Sequence, residues 1–163
     1  MTVSHDPLVQ QIADKLIAQS ASLSVAESCT GGGVAQALTA VAGASAWFGY
    51  GFVTYANSAK IELLGVDEAT LAAYGAVSHQ VAEQMAEGAR INASSTWALA
   101  TTGIAGPDGG SAEKPVGMVW FAWAGPQGIR SQHRVFSGDR ASVREQAVAF
   151  ALIELRKLLN FTV

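Results

Sequence analysis

Two short segments constrain this chain more than any others: Ala26-Glu27-Ser28-Cys29-Thr30-Gly31-Gly32 and Thr102-Gly103-Ile104-Ala105-Gly106-Pro107-Asp108-Gly109-Gly110. Each follows a β-like run, and each sets glycines where the chain must turn sharply. A strand that ends in a glycine turn and feeds a helix is a building unit of layered α/β domains. The first segment also offers a hydroxyl, Ser28, where a helix is predicted to begin. A helix start presents unpaired backbone N–H groups and partial positive charge, which suits an anion or a developing oxyanion.

The flanking pattern completes the fold class. Asp6-Pro7 predicts a helix start with Asp6 as cap, and Leu8, Ile12, Leu16 and Ile17 share one helical face. Residues 23–26 read as a strand, 31–41 as a helix, and 50–56 as a strand rich in aromatic and β-branched residues. Short helices are predicted over 58–64 and 67–74, separated by Gly65. Ser78 is placed to cap a helix over 79–92. A strand over 96–101 leads into the polar loop 103–114. Strands 116–124 and 129–136 flank Gly125-Pro126-Gln127-Gly128, a hairpin signal. Asp139 then caps a last helix over 140–159. This order predicts one domain over 1–163, a three-layer α/β/α arrangement with a single mixed β-sheet. The loops after the first and third strands then meet at one edge of the sheet, where open α/β sheets place ligands.

Composition narrows the function classes. The 163 residues suffice for a substantial core, half of them are hydrophobic, and only 14% are charged. A formal charge of −3 argues against a nucleic-acid partner, which calls for a basic surface. Cys29 is the lone cysteine, so no intrachain disulfide forms, which fits a reducing compartment. The polar start lacks a signal-peptide pattern, and the most apolar stretch, 41–56, is too broken and short for a membrane span. A cytoplasmic protein is expected.

Nucleotide and metal motifs are absent. There is no G-x-x-x-x-G-K-[ST] loop and no G-x-G-x-x-G opening a helix. Glycines 103, 106 and 109 suit a backbone nest for phosphate, or simply a surface loop. His5, His79 and His133 are scattered without ligand spacing, so no metal or other cofactor is expected.

Ser28 reads as a nucleophile or as a cap of the following helix, Thr30 reads as a cap, and Glu27 orients the turn or hydrogen-bonds a ligand. Cys29 is the stronger nucleophile by chemistry and a small buried hydrophobe by habit. Lys60 is the candidate base, provided that burial lowers its pKa from about 10.4; the plain alternative is a solvated helix lysine. Tyr55 reads as a strand residue with its ring in the core. Trp47, Phe48, Tyr50 and Phe52 are assigned to the core, with a pocket wall or a dimer contact as alternatives. Arg140 and Arg144 oppose the dipole at the start of the last helix. A bound anion explains them, as does pairing with Asp139, Glu145 or solvent.

Six ordered motifs then match a known pattern: AESCTGG, GASAWFGYGFVTYANSAK, GAVS, TGIAGPDGG, KPVGMVWFAW and FSGDR. The chain resembles the CinA C-terminal domain family over about residues 21–159, and within it the stand-alone nicotinamide-nucleotide amidases. The resemblance implies hydrolysis of nicotinamide mononucleotide to nicotinate mononucleotide and ammonia by a metal-free serine–lysine arrangement. It maps the nucleophile to Ser28, the base to Lys60 and a supporting group to Tyr55. Substrate contacts are implied at Glu27, Thr30, Gly31, Gly32, Asn57, Thr102, Gly103, Gly106 and Arg140, with oxyanion donors in the Thr30-Gly31-Gly32 turn. A homodimer is also implied. Thr102 stands where the family pattern has serine, and it keeps the hydroxyl. A non-catalytic nucleotide-binding or regulatory module of the same fold is the rival reading.

Overall fold

The chain forms a five-stranded mixed sheet with helices on both faces, in a computed structural model that describes residues 4–160. Residues 1–3 of the polar start and 161–163 of the predicted domain lie outside the described residues. In chain order the elements are α1 (Asp6–Ala18), β1 (Leu23–Glu27), α2 (Gly33–Thr39), a 3-10 turn (Ala44–Ala46), β2 (Phe48–Val53) and α3 (Asn57–Leu64). There follow α4 (Glu68–Tyr74), α5 (His79–Ala93), β3 (Trp97–Gly103), β4 (Met118–Gly125), β5 (Gly128–Val135) and α6 (Arg140–Leu159).

The sheet order is β2-β1-β3-β4-β5. β1 pairs parallel with both β2 and β3, and β3, β4 and β5 pair antiparallel in turn. Gly125 pairs with Gly128, so Pro126 and Gln127 form the hairpin turn. Alternation along the strands sorts side chains by size. Leu23, Val25, Trp97, Leu99, Val119, Phe121 and Trp123 face the layer of α1, α2 and α6. Ala26, Ala98, Ala100, Ala122 and Ala124 face α3 and α5, whose own packing surface includes Ala82, Ala86 and Ala89. Small residues on both sides let this second layer approach closely. Within that layer α5 also meets α3 closely at Gly88, where a Cβ would stand 1.9 Å from the Leu64 carbonyl oxygen.

Element boundaries differ from the sequence expectations where tertiary contacts decide them. Asp6 does not cap α1. His5 holds that position without a side-chain bond, and Asp6 lies inside the first turn, where its charge suits the dipole. Ile17 is 56% exposed, because Val9, Ile12, Ala13 and Leu16 form the buried stripe and Ile17 falls at its rim. α2 is shorter than predicted, since Gly31 and Gly32 take left-handed φ values of +58° and +100°. β2 starts and ends earlier than predicted. Tyr55 therefore lies beyond the strand, 59% exposed rather than in the core. Of the aromatic cluster assigned to the core, Trp47 is buried and Tyr50 is exposed, since Tyr50 belongs to the edge strand. The caps predicted for α5 and α6 are present: Ser78 Oγ accepts from Val81 N and Asp139 accepts from Ser142 N.

β1 lies between two parallel neighbours, with Glu27 opposite Thr101 at the end of β3. The chain leaves β1 toward β2 on one side and returns to β3 on the other. Their carboxyl ends thus form a topological switch point, where loops diverge and leave a crevice.

Candidate active site at the ends of β1 and β3

Glu27 fixes the geometry of the turn after β1. The residue is 1% exposed. One oxygen accepts from Thr30 Oγ1 at 2.5 Å and Val34 N at 2.8 Å, and the other from Ala35 N at 3.0 Å. These bonds satisfy amides at the start of α2 and place the carboxylate at the positive end of that helix. Thr30 Oγ1 also lies 2.8 Å from Thr101 Oγ1, and Ser28 N donates to the Thr101 carbonyl at 3.0 Å. The turn is thereby tied to β3, with Ser28 displayed at its apex.

Lys60 meets that apex from the other side. α3 begins directly after the Thr54-Tyr55-Ala56 corner, and its fourth residue, Lys60, is 1% exposed. The solvated-lysine alternative therefore does not hold. Nζ lies 3.1 Å from Ser28 Oγ, 2.9 Å from the Thr54 carbonyl and 3.1 Å from the Tyr55 carbonyl. None of these partners is a carboxylate. Burial lowers the Lys60 pKa from its ordinary value of 10.5 because desolvation penalises the ammonium. The same environment pushes the Cys29 thiol up to about 12, again by burial. Cys29 is thus a neutral thiol at pH 7, and the lysine bond goes to its neighbour.

A cavity of about 210 Å³ opens beside this pair. Of the residues singled out in the sequence, Ser28, Tyr55, Asn57, Lys60, Thr102, Gly103 and Arg140 line it, and Cys29 lies among them. Ala76, Val77 and Ala105 complete the wall. These three lie in the GAVS and TGIAGPDGG motifs, but an apolar side chain shows no chemistry by which the sequence could assign it to the site. Thr102 Oγ1 donates to the Ala76 carbonyl at 2.9 Å, which pins one wall to the other. Arg140 donates to the Gly106 carbonyl at 2.8 Å and to the Tyr55 hydroxyl at 2.9 Å. Tyr55 and Gly106 are therefore joined through one guanidinium at the mouth.

Four expected substrate contacts stand behind the lining instead. Glu27 and Thr30 spend their polar atoms on the turn, and Gly31 and Gly32 shape the entry to α2. The Gly31 N–H donates to the Ser28 carbonyl at 3.0 Å, so it is not a free oxyanion donor. Among the described residues, no three His, Cys, Asp or Glu side chains gather as metal ligands. No helix of the described residues is long and apolar enough to cross a membrane.

The profile of the CinA C-terminal domain family matches residues 5–159, which contain every element above. The chain belongs to the CinA C-terminal domain family. Its curated relatives include nicotinamide-nucleotide amidohydrolase PncC of Escherichia coli K12, 54% identical over 89% of this chain and 88% of that protein. The protein of the same name from Pseudomonas putida is 47% identical over 93% and 94% of the two chains. Among solved structures, competence damage-inducible protein A from Klebsiella pneumoniae superposes with a TM-score of 0.94 at 38% identity. That likeness covers 98% of this chain and 99% of the other. The three-layer architecture with its mixed sheet is thus a CinA-superfamily fold.

Proposed function

We propose that this chain is an amidohydrolase that converts nicotinamide mononucleotide to nicotinate mononucleotide and ammonia, with Ser28 as nucleophile and Lys60 as base. The observation that carries the reading is the buried Lys60 amine within hydrogen-bond reach of Ser28 Oγ and facing no carboxylate. Relatives named for this activity, at 54% and 47% identity, support the substrate.

The arrangement suits proton transfer for a simple reason. A neutral lysine amine has two N–H donors and one lone pair. The Thr54 and Tyr55 carbonyls accept the two N–H groups, which leaves the lone pair for the Ser28 hydroxyl. As Ser28 Oγ bonds to the carboxamide carbon, its proton passes to Lys60. The resulting ammonium gives that proton to the departing nitrogen, and the C–N bond breaks to release ammonia. Water then attacks the acyl-enzyme, its proton going to Lys60 and returning to Ser28 Oγ as nicotinate leaves. Arg140, at the mouth beside Tyr55, supplies a fixed positive charge for the substrate phosphate.

The same reading carries a cytoplasmic homodimer that takes a small nucleotide and no nucleic acid. Light scattering tests the dimer. An ammonia-coupled assay of purified protein with nicotinamide mononucleotide tests the activity. Stoichiometric ammonia and nicotinate mononucleotide are expected. Tight binding without ammonia would identify a non-catalytic nucleotide-binding module instead.

A further inference from the structure

Arg144 makes protein contacts that its sequence position does not announce. It lies in the second turn of α6, near the positive end of that helix, where a cation is electrostatically disfavoured. Among the described residues it forms no ion pair. Its guanidinium instead reaches the nucleophile turn, where Nε donates to the Cys29 carbonyl at 3.2 Å and Nη2 to the Thr30 carbonyl at 3.3 Å. A Cβ on Gly31 would lie 3.0 Å from Nη2, so glycine at 31 leaves the space that the guanidinium occupies.

Backbone hydrogen bonds hold other parts of the turn. Ser28 N is held by Thr101, the Ser28 carbonyl by Gly31 N, and the Thr30 carbonyl also accepts from Gly33 N at 2.9 Å. The Cys29 carbonyl is held by Arg144. A trans peptide carries its N–H opposite its C=O. Drawing the Cys29 carbonyl toward α6 therefore turns the Thr30 N–H away from α6. The Cys29 carbonyl thus takes its hydrogen bond from this side chain, whereas the 30–31 peptide is also held by Gly31 N and Gly33 N within the backbone.

We infer that Arg144 is a positioning residue for the reaction: it fixes the 29–30 peptide and braces the Thr30 carbonyl, and so sets the attack geometry of Ser28 and the Thr30 amide beside it. This rests on Ser28 being the nucleophile. Lysine, a point charge without the planar fork, cannot bridge both carbonyls in the same way.

The test compares wild type with Arg144→Met, Arg144→Lys and Arg144→Ala in the full chain, after circular dichroism and melting confirm folding. With nicotinamide mononucleotide, kcat of Arg144→Met is expected to fall about a hundredfold, the scale of an ångström-sized misplacement, with KM nearly unchanged. Arg144→Lys recovers part of the loss. Arg144 also lines a solvent-open groove of about 590 Å³ with Thr30, Gly33 and Val148. Guanidinium ion added below denaturing concentration is therefore expected to restore turnover to Arg144→Ala, which a merely structural role would not produce.

A second readout is independent of substrate identity. A fluorophosphonate labels Ser28 as the Oγ–P bond forms, fluoride leaves and Lys60 takes the hydroxyl proton. The labelling rate is expected to fall and recover in parallel with kcat. Wild type inert toward nicotinamide mononucleotide but labelled at Ser28 would overturn the proposed substrate alone, and the variants would then be judged by labelling. Unchanged kcat and labelling in all three folded variants, a raised KM with intact kcat, or a wild-type Ser28 that resists the probe would overturn the inference.

Discussion

Lys60 Nζ and Ser28 Oγ lie 3.1 Å apart although 32 residues separate them in the chain. Ser28 directly follows β1 and Lys60 sits one turn into α3. The contact therefore depends on the β2 edge strand placing the Thr54-Tyr55 corner beside the end of β1. Both side chains are buried, and the lysine is held by two backbone carbonyls that a pH change does not titrate.

The pH dependence follows from the Lys60 shift, whose direction is downward from 10.5 because of burial. The neutral, base-competent amine gains population as pH rises through the lowered value, so kcat/KM is expected to climb along an acidic limb with an apparent pKa below 10.5. Stability has the same sign. Between the folded value and 10.5 the unfolded chain binds the extra proton, so unfolding free energy rises with pH in that window. The stabilising difference is complete above 10.5 and lost as pH falls through the folded value. Melting of Lys60→Met against wild type across this range checks it, because the variant should lack that limb.

Cys29 and Ser28 are adjacent in the cavity wall, and only one meets the lysine. Cys29→Ala is expected to keep turnover within a few-fold of wild type, since the thiol is neutral and pushed up to about 12 by burial. Steady-state ammonia release measures this. Loss of all activity in that variant would move the nucleophile to the thiol.

Glu27 is a scaffold residue. Glu27→Ala leaves the Val34 and Ala35 amides and the Thr30 hydroxyl without their shared acceptor. A loss of about 3 kcal/mol in urea unfolding is expected, from the range for unsatisfied buried donors. Wild-type stability in the variant would remove Glu27 from this role.

Much of this was legible in the sequence, and the limits have physical causes. Strand and helix order followed from periodicity, and the sheet edge that carries the candidate site followed from which strands end in glycine turns. Ser78 and Asp139 announced their helices by capping chemistry alone. Asp6 misled because a proline at the second helical position permits the helix to start one residue earlier. Glu27, Thr30, Gly31 and Gly32 sit in the motif that holds Ser28, the proposed nucleophile. Sequence proximity does not reveal that the carboxylate points into the helix start rather than the cavity. Lys60 shows the converse. Nothing local distinguishes it from a solvated helix lysine, and only the fold removes its water. Arg144 was conspicuous by its place on the helix dipole, but its partners are carbonyls 114 and 115 residues away.

Arg140 joins Tyr55 and Gly106 at the cavity mouth. Arg140→Ala is expected to raise KM for nicotinamide mononucleotide by tenfold or more, about 1.4 kcal/mol of lost charge-assisted binding, with a smaller change in kcat. Initial-rate kinetics separate the two. A fall in kcat with KM unchanged would place Arg140 in the chemical step rather than in binding.

The pairing of Lys60 with Ser28 is tested most directly by single-turnover ammonia release from nicotinamide mononucleotide, comparing wild type with folded Lys60→Met and Ser28→Ala. Wild type is expected to release ammonia, and each variant to lose at least about a thousandfold in rate, within the range for removal of a general base. Turnover at the wild-type rate by either variant would contradict the account.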